Sequence, residues 1–124
     1  MQFRDSNLSR AFIATLNNLR AFTTGISFGD QAQFVRAEAV RRIGGFPDLM
    51  LMEDVELSLR LKSVGGVVYL GPGVSVCGRR WQEGYLLSNL RTVIGLFFRY
   101  LFERRLGVSS KEDRYYRRYY RNSV

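Results

Sequence analysis

Gly44-Gly45-Phe46-Pro47-Asp48 is followed, after four apolar residues, by Glu53-Asp54-Val55-Glu56-Leu57-Ser58-Leu59-Arg60-Leu61-Lys62-Ser63-Val64-Gly65-Gly66. The paired glycines permit positive φ and Pro47 fixes the next turn, so the chain breaks here. Residues 53–64 read as the clearest helix of the sequence, with Val55, Leu57, Leu59, Leu61 and Val64 mostly facing inward. Gly65-Gly66 stops it. Glu53, Asp54 and Glu56 crowd its first turn, where a carboxylate complements the helix dipole by about 0.3–1 kcal/mol. Such residues cap helices. An aspartate in that position is also placed to accept a proton from a hydroxyl, as general-base chemistry requires.

Downstream, Val67-Val68-Tyr69-Leu70 reads as a short buried-type strand, and Gly71-Pro72-Gly73 turns the chain into a second extended piece, Val74-Ser75-Val76. Upstream, Asp5 or Ser6 is placed to cap a first helix with Leu8, Phe12, Leu16 and Leu19 at helical spacing, which Thr23-Thr24-Gly25 ends. Ile26-Ser27-Phe28 and Gln33-Phe34-Val35 read as extended, and residues 37–43 as a turn or two of helix. From Trp81 onward Leu86, Leu90, Val93, Phe97 and Leu101 form one helical stripe, with Ser88, Thr92, Gly95 and Arg99 opposite. Gly107 breaks that helix, and a last one is expected over 111–121. The order is helix, strand, helix, strand, strand, long helix. A doubly wound sheet normally carries five or six strands, so the pattern fits part of an α/β domain or a small α+β one.

Composition narrows the chemistry. With 124 residues, 46% apolar and 24% charged, the chain is globular in type and long enough for one domain. One cysteine, Cys77, allows no intrachain disulfide. The absence of histidine removes His-based zinc sites, Ser-His-Asp triads and Cys-His dyads. No basic-then-apolar leader opens the sequence. The greasiest stretch, residues 86–102, contains Arg91 and Arg99. A bilayer span wants about 20 apolar residues, and a central charge costs about 2.5–3.5 kcal/mol. It is not expected to cross a membrane.

Two further segments could carry chemistry. In Gly29-Asp30-Gln31 the glycine lets a ligand approach the backbone, and Asp and Gln can hydrogen-bond sugar hydroxyls. An Asx-type turn uses the same residues. In Gly78-Arg79-Arg80-Trp81 the guanidinium forks suit phosphate oxygens and the indole offers a flat face. The same residues also fit a tryptophan anchor at a helix start with solvated arginines. No P-loop, dinucleotide-binding fingerprint or cysteine cluster is present.

Taken in order, Gly29-Asp30-Gln31, Gly44-Gly45-Phe46-Pro47, Met52-Glu53-Asp54-Val55-Glu56 and Arg79-Arg80-Trp81 resemble the C-terminal half of family 2 glycosyltransferases. The resemblance runs over residues 27–105. Its most specific part is the Gly-Gly-Phe turn followed by Glu-Asp at a helix start. Arg79-Arg80-Trp81 is similar to the end of the Gln-x-x-Arg-Trp signature of related synthases, with Cys77 where the glutamine would stand.

The resemblance implies a partial GT-A fold, a Rossmann-like α/β domain with a short mixed sheet, flanking helices and a long C-terminal amphipathic helix. It implies inverting transfer of a sugar from a nucleotide-sugar donor to an acceptor hydroxyl. Asp54 would be the catalytic base, and Glu53 and Glu56 would support its helix start. Gly29, Asp30 and Gln31 would line the acceptor or donor-sugar side. Arg79, Arg80 and Trp81 would lie near the diphosphate or the acceptor entrance. The intact enzyme would use a divalent cation, Mg or Mn, to stabilise the departing diphosphate.

The sequence has no Asp-x-Asp and no nucleotide-binding strands. No metal is therefore expected on this chain alone, and residues 1–106 read as an acceptor-side half, inactive by itself because transfer needs both reactants positioned. Residues 107–124 read as a basic Tyr/Arg-rich helix or tail. Half of a sheet leaves an unpaired edge and an uncovered apolar face, so a homo-oligomer is expected, with exchange of elements between copies as one route.

The charge supports rival readings. Lys and Arg number 19 against 11 acidic residues, for a net +8, and much of the excess lies beyond Arg79. A helix with Phe97, Phe98 and Phe102 on one side and arginines around it could lie in a membrane interface. Many family 2 enzymes use lipid-linked acceptors, so the resemblance favours a cytoplasmic location, at the membrane's cytoplasmic face. Packing of that stripe on the α/β core is the alternative. The Arg/Tyr alternation over 114–121 could meet phosphates and bases, but no nucleic-acid motif accompanies it, and nucleic acid is the lesser reading. A non-catalytic interaction protein shares the same fold expectation.

Overall fold

The computed structural model describes residues 2–4, 7–70, 73–77, 86–107 and 120. They form a mixed α/β arrangement, mostly helical, whose four helices and one two-stranded parallel sheet take the order β1 (Gln2–Phe3), α1 (Leu8–Thr24), a single 3-10 turn (Gly29–Gln31), α2 (Ala37–Arg42), α3 (Glu53–Val64), β2 (Ser75–Val76) and α4 (Leu86–Arg105). The chain divides into two compact units, one of Met1–Pro47 with Glu53–Gly78, the other of Asp48–Met52 with Arg79–Val124.

In the first unit α1 starts at Asn7, not at the expected Asp5 or Ser6. Asn7 has an extended backbone, and its side-chain oxygen accepts from Arg10 N–H at 3.0 Å, satisfying an otherwise orphaned donor. Gly25 closes the helix in the left-handed region at φ 64, its N–H donating to Ala21 O. The apolar stripe at helical spacing is not the face that α1 buries. Ile13, Ala14 and Ala21 are buried, whereas Leu8, Phe12, Leu16 and Leu19 are exposed. At about 100° per residue the two sets lie on opposite sides of the helix. The inward side carries small residues together with Asn17 and Arg20; Arg20 donates to the connector after the helix, and Asn17 Oδ1 accepts from Arg20.

That connector was expected to hold strands at 26–28 and 33–35, and neither forms. Its backbone groups bond side chains instead. Ile26 O accepts from Arg20 Nη1 at 2.7 Å, Ser27 N–H donates to Ser58 Oγ at 3.2 Å and Phe28 N–H to Gln31 Oε1 at 3.0 Å. An extended chain needs these groups satisfied but does not need a second strand to do it. Residues 67–70 likewise form no strand, and Val67, Val68 and Leu70 are exposed. The sheet pairs Gln2 with Ser75 and Phe3 with Val76 in parallel, flanked by Gln2 N–H to Val74 O at 2.8 Å and Arg4 N–H to Val76 O at 3.0 Å. Its first strand carries too few residues to show an alternating pattern.

α2 and α3 fall where expected, separated by Gly44 and Gly45 at φ 83 and 93. α3 buries Val55 completely, together with Leu57, Ser58 and Glu56. Leu59, Leu61 and Val64 are only half-buried. Glu56 turns along the helix to Arg60 Nε at 2.8 Å, which pairs the buried carboxylate.

In the second unit α4 centres its buried side on Leu96, Phe97 and Tyr100, while Leu86, Leu90, Val93 and Leu101 are half-buried. An Arg99–Glu103 pair at 2.7 Å spans one turn. Gly107 ends this segment at φ 69. The expected terminal helix over 111–121 lies outside the described residues, apart from Tyr120.

Candidate functional site

The first turn of α3 and the Gly29–Gln31 turn are brought together by the carboxylate of Asp54. Its Oδ2 accepts from Gly29 N–H at 2.6 Å and its Oδ1 from Val55 N–H at 2.7 Å. One backbone donor per oxygen fixes the plane of the carboxylate and leaves lone pairs on both oxygens. Asp54 is half-buried, neither sealed in the core nor fully in water.

Below Asp54 the same face of α3 continues the attachment. Ser58 Oγ donates to Asp54 O at 2.9 Å and accepts from Ser27 N–H, and Lys62 Nζ donates to Thr24 O at 2.6 Å. Asp54, Ser58 and Lys62 are spaced by four residues, so one helix face stitches the last residue of α1 and two points of the connector, Thr24, Ser27 and Gly29. Gln33 Nε2 adds bonds to Ser27 O at 3.0 Å and Ser58 Oγ at 3.3 Å.

From the other side Arg20 of α1 holds the turn. Its Nη2 donates to Gln31 Oε1 and Asn17 Oδ1, each at 3.0 Å, and its guanidinium lies 3.7 Å from the centre of the Phe28 ring. Gln31 Oε1 therefore receives two donors, Arg20 and Phe28 N–H. Burial lowers the Arg20 pKa from its ordinary value, and the charges of Asp30 and Asp54 act in the opposite direction.

Asp30 sits on the exposed side of the turn, yet protein around its carboxyl displaces hydration. That desolvation raises its pKa above the ordinary carboxyl value, the like charge of Asp54 raises it further, and Arg20 opposes both. Two carboxylates and one guanidinium are thus near enough to act on one another through their charges.

Two non-glycine residues with positive φ flank these elements in sequence. Ala32 (φ 52) comes just after the 3-10 turn and Met52 (φ 67) just before α3. Such conformations cost energy and persist where the surroundings impose them.

Of the residues singled out by sequence, Gly29, Asp30, Gln31 and Asp54 meet in one place. Glu53 is exposed beside them on α3, and Glu56 is engaged with Arg60. Arg79, Arg80 and Trp81 lie outside the described residues. Gly29 is not demanded by backbone conformation, since an added Cβ would stand an ordinary 3.6 Å from Asp54 Oδ2. Arg20, Gln33 and Ser58 were not singled out. The four-residue spacing of Asp54, Ser58 and Lys62 was the available signal for Ser58. Arg20 had none beyond its place on the polar side of α1.

Among the described residues no three His, Cys, Asp or Glu side chains gather to hold a metal. Of the described residues, two carboxylates beside a guanidinium make a poor ligand set for the divalent cation that the resemblance implies. No protein-family model, curated protein or solved structure matches the chain.

Proposed function

We propose that this chain carries the acceptor side of a sugar-transfer site of the family 2, GT-A type, with Asp54 as the general base. The reading is carried by the Asp54 carboxylate, oriented through both oxygens by backbone N–H groups at the junction of a helix start and a polar turn. Its free lone pairs can take the proton of an acceptor hydroxyl. The acceptor oxygen then bonds the anomeric carbon from the side opposite the leaving group. The bond from that carbon to the diphosphate oxygen breaks with its electron pair, and the configuration inverts.

Asp30, on the adjoining turn, would hydrogen-bond sugar hydroxyls; Gln31, whose amide oxygen already accepts from Arg20 and Phe28 N–H and whose nitrogen donates to Asn17 O at 3.4 Å, would hold that turn in place. Arg20 holds that turn without serving as a base. The nucleotide sugar would be bound by a nucleotide-binding half that these 124 residues do not include. The test is sugar transfer from a panel of nucleotide sugars, to free and lipid-linked acceptors, by an enzyme containing this chain together with such a half. Product of inverted configuration is expected. Retention of configuration would remove the single-base scheme.

Peripheral contact with a membrane is a second reading, favoured by α4. Leu87, Ile94, Phe98 and Phe102 are exposed on this helix, and so are Arg91, Arg104 and Arg105. Apolar side chains with arginines among them suit the boundary of an anionic bilayer. Phe97, counted with that face from sequence, is buried and would not take part. No helix among the described residues is long and apolar enough to cross a membrane. Flotation with anionic vesicles is expected to exceed that with neutral ones and to weaken as salt rises. Equal recovery with both would remove the electrostatic part.

A further inference from the structure

The outward side of α1 carries no charge. Leu8, Phe12, Leu16, Leu19 and Phe22 are all exposed, Leu8 at 92% and Phe22 at 70%. The exposed residues between them are Ser9, Ala11, Thr15 and Thr23. A helix that ends its packing at one face shows the reverse, with polar residues outward. Leu8, Phe12, Thr15, Leu19 and Phe22 recur at alternating steps of four and three, the spacing by which one helix seats against another. Phe22 also meets Tyr69 edge to face at 6.2 Å, which carries the patch onto residues 67–70.

We propose that this face joins two copies of the chain, α1 against α1 about a two-fold axis. A closed pair needs a patch that is complementary to itself, and an apolar, uncharged stripe meets that condition without bringing like charges together. This matters for a chain of net charge +8, because no charged residue of α1 falls on the stripe. The size reaches the lower end of what a specific pair needs: two exposed phenylalanines and three leucines present on the order of 600 Å² per copy, against about 600–1,000 Å² per partner in specific interfaces. Contiguous exposed apolar patches of this extent mark association sites.

Sedimentation equilibrium of the full chain at tens of micromolar tests the proposal. Twice the chain mass is expected. Phe12→Glu and Leu19→Glu should each weaken the pair at least about tenfold, with an unchanged far-ultraviolet circular dichroism spectrum. Leu19→Ala, which keeps helix propensity, should weaken it less but in the same direction. Phe34→Glu, which alters an exposed phenylalanine of the connector, should leave it intact. A monomer throughout, an open-ended polymer, or a pair indifferent to Leu19→Ala and the charged variants would overturn the proposal.

Discussion

At Asp30 the sign of the electrostatics can be carried into a measurable slope. Its pKa in the fold stands above the ordinary value of 3.8, through desolvation and then the Asp54 charge. The protonated form therefore suits the fold better than the ionised one. This contribution to stability is fully present below the unfolded pKa and is lost as pH rises through the folded one. Asp30→Asn should flatten the pH dependence of the thermal midpoint from about pH 4 upward. An unchanged slope would remove Asp30 as its source. Arg20→Gln takes away the one side chain that opposes the shift, so carbon-detected titration of the Asp30 carboxyl should move it further up. The same substitution leaves Ile26 O without its Arg20 donor and should cost about 1–3 kcal/mol in urea unfolding.

Among the elements, α1 is held at both ends by local chemistry. Asn7→Ala removes the bond to Arg10 N–H and should cost about 1 kcal/mol. Gly25→Ala should cost a similar amount, roughly 1–2 kcal/mol, because φ is 64 there, while the space for a methyl is ordinary. Chemical unfolding of the two variants checks both figures, and a neutral Gly25→Ala would mean that the helix ends elsewhere.

The legibility of the elements obeys the same division. α3 was readable to its last residue because glycine pairs bracket it and acidic residues open it. α2 and the end of α1 were readable for like reasons. The stripe of α1 was readable but its exposure was not, since apolar spacing identifies a stripe without saying whether anything covers it. The strands expected at 26–28, 33–35 and 67–70 failed for a different reason. A strand depends on a neighbour, and the first connector found its partners in the side chains of Arg20, Gln31, Gln33, Asp54 and Ser58.

For the whole molecule, the site joins residues far apart in sequence. Gly29 and Asp54 were named as separate candidates, and only the folded chain shows the N–H of one bonded to the carboxylate of the other. Arg20, Gln33 and Ser58 carry no motif, yet they fix the turn against α3. Their roles were invisible because each depends on a tertiary contact.

The most direct measurement compares kcat for Asp54 and Asp54→Asn in an enzyme containing this chain. Asparagine keeps an oxygen able to accept from Gly29 N–H, so the turn and donor binding should persist, but it cannot take a proton. A fall in kcat of about 10²–10⁴ with little change in KM for the donor is expected. Undiminished turnover by the asparagine variant would contradict the role of Asp54 as the base.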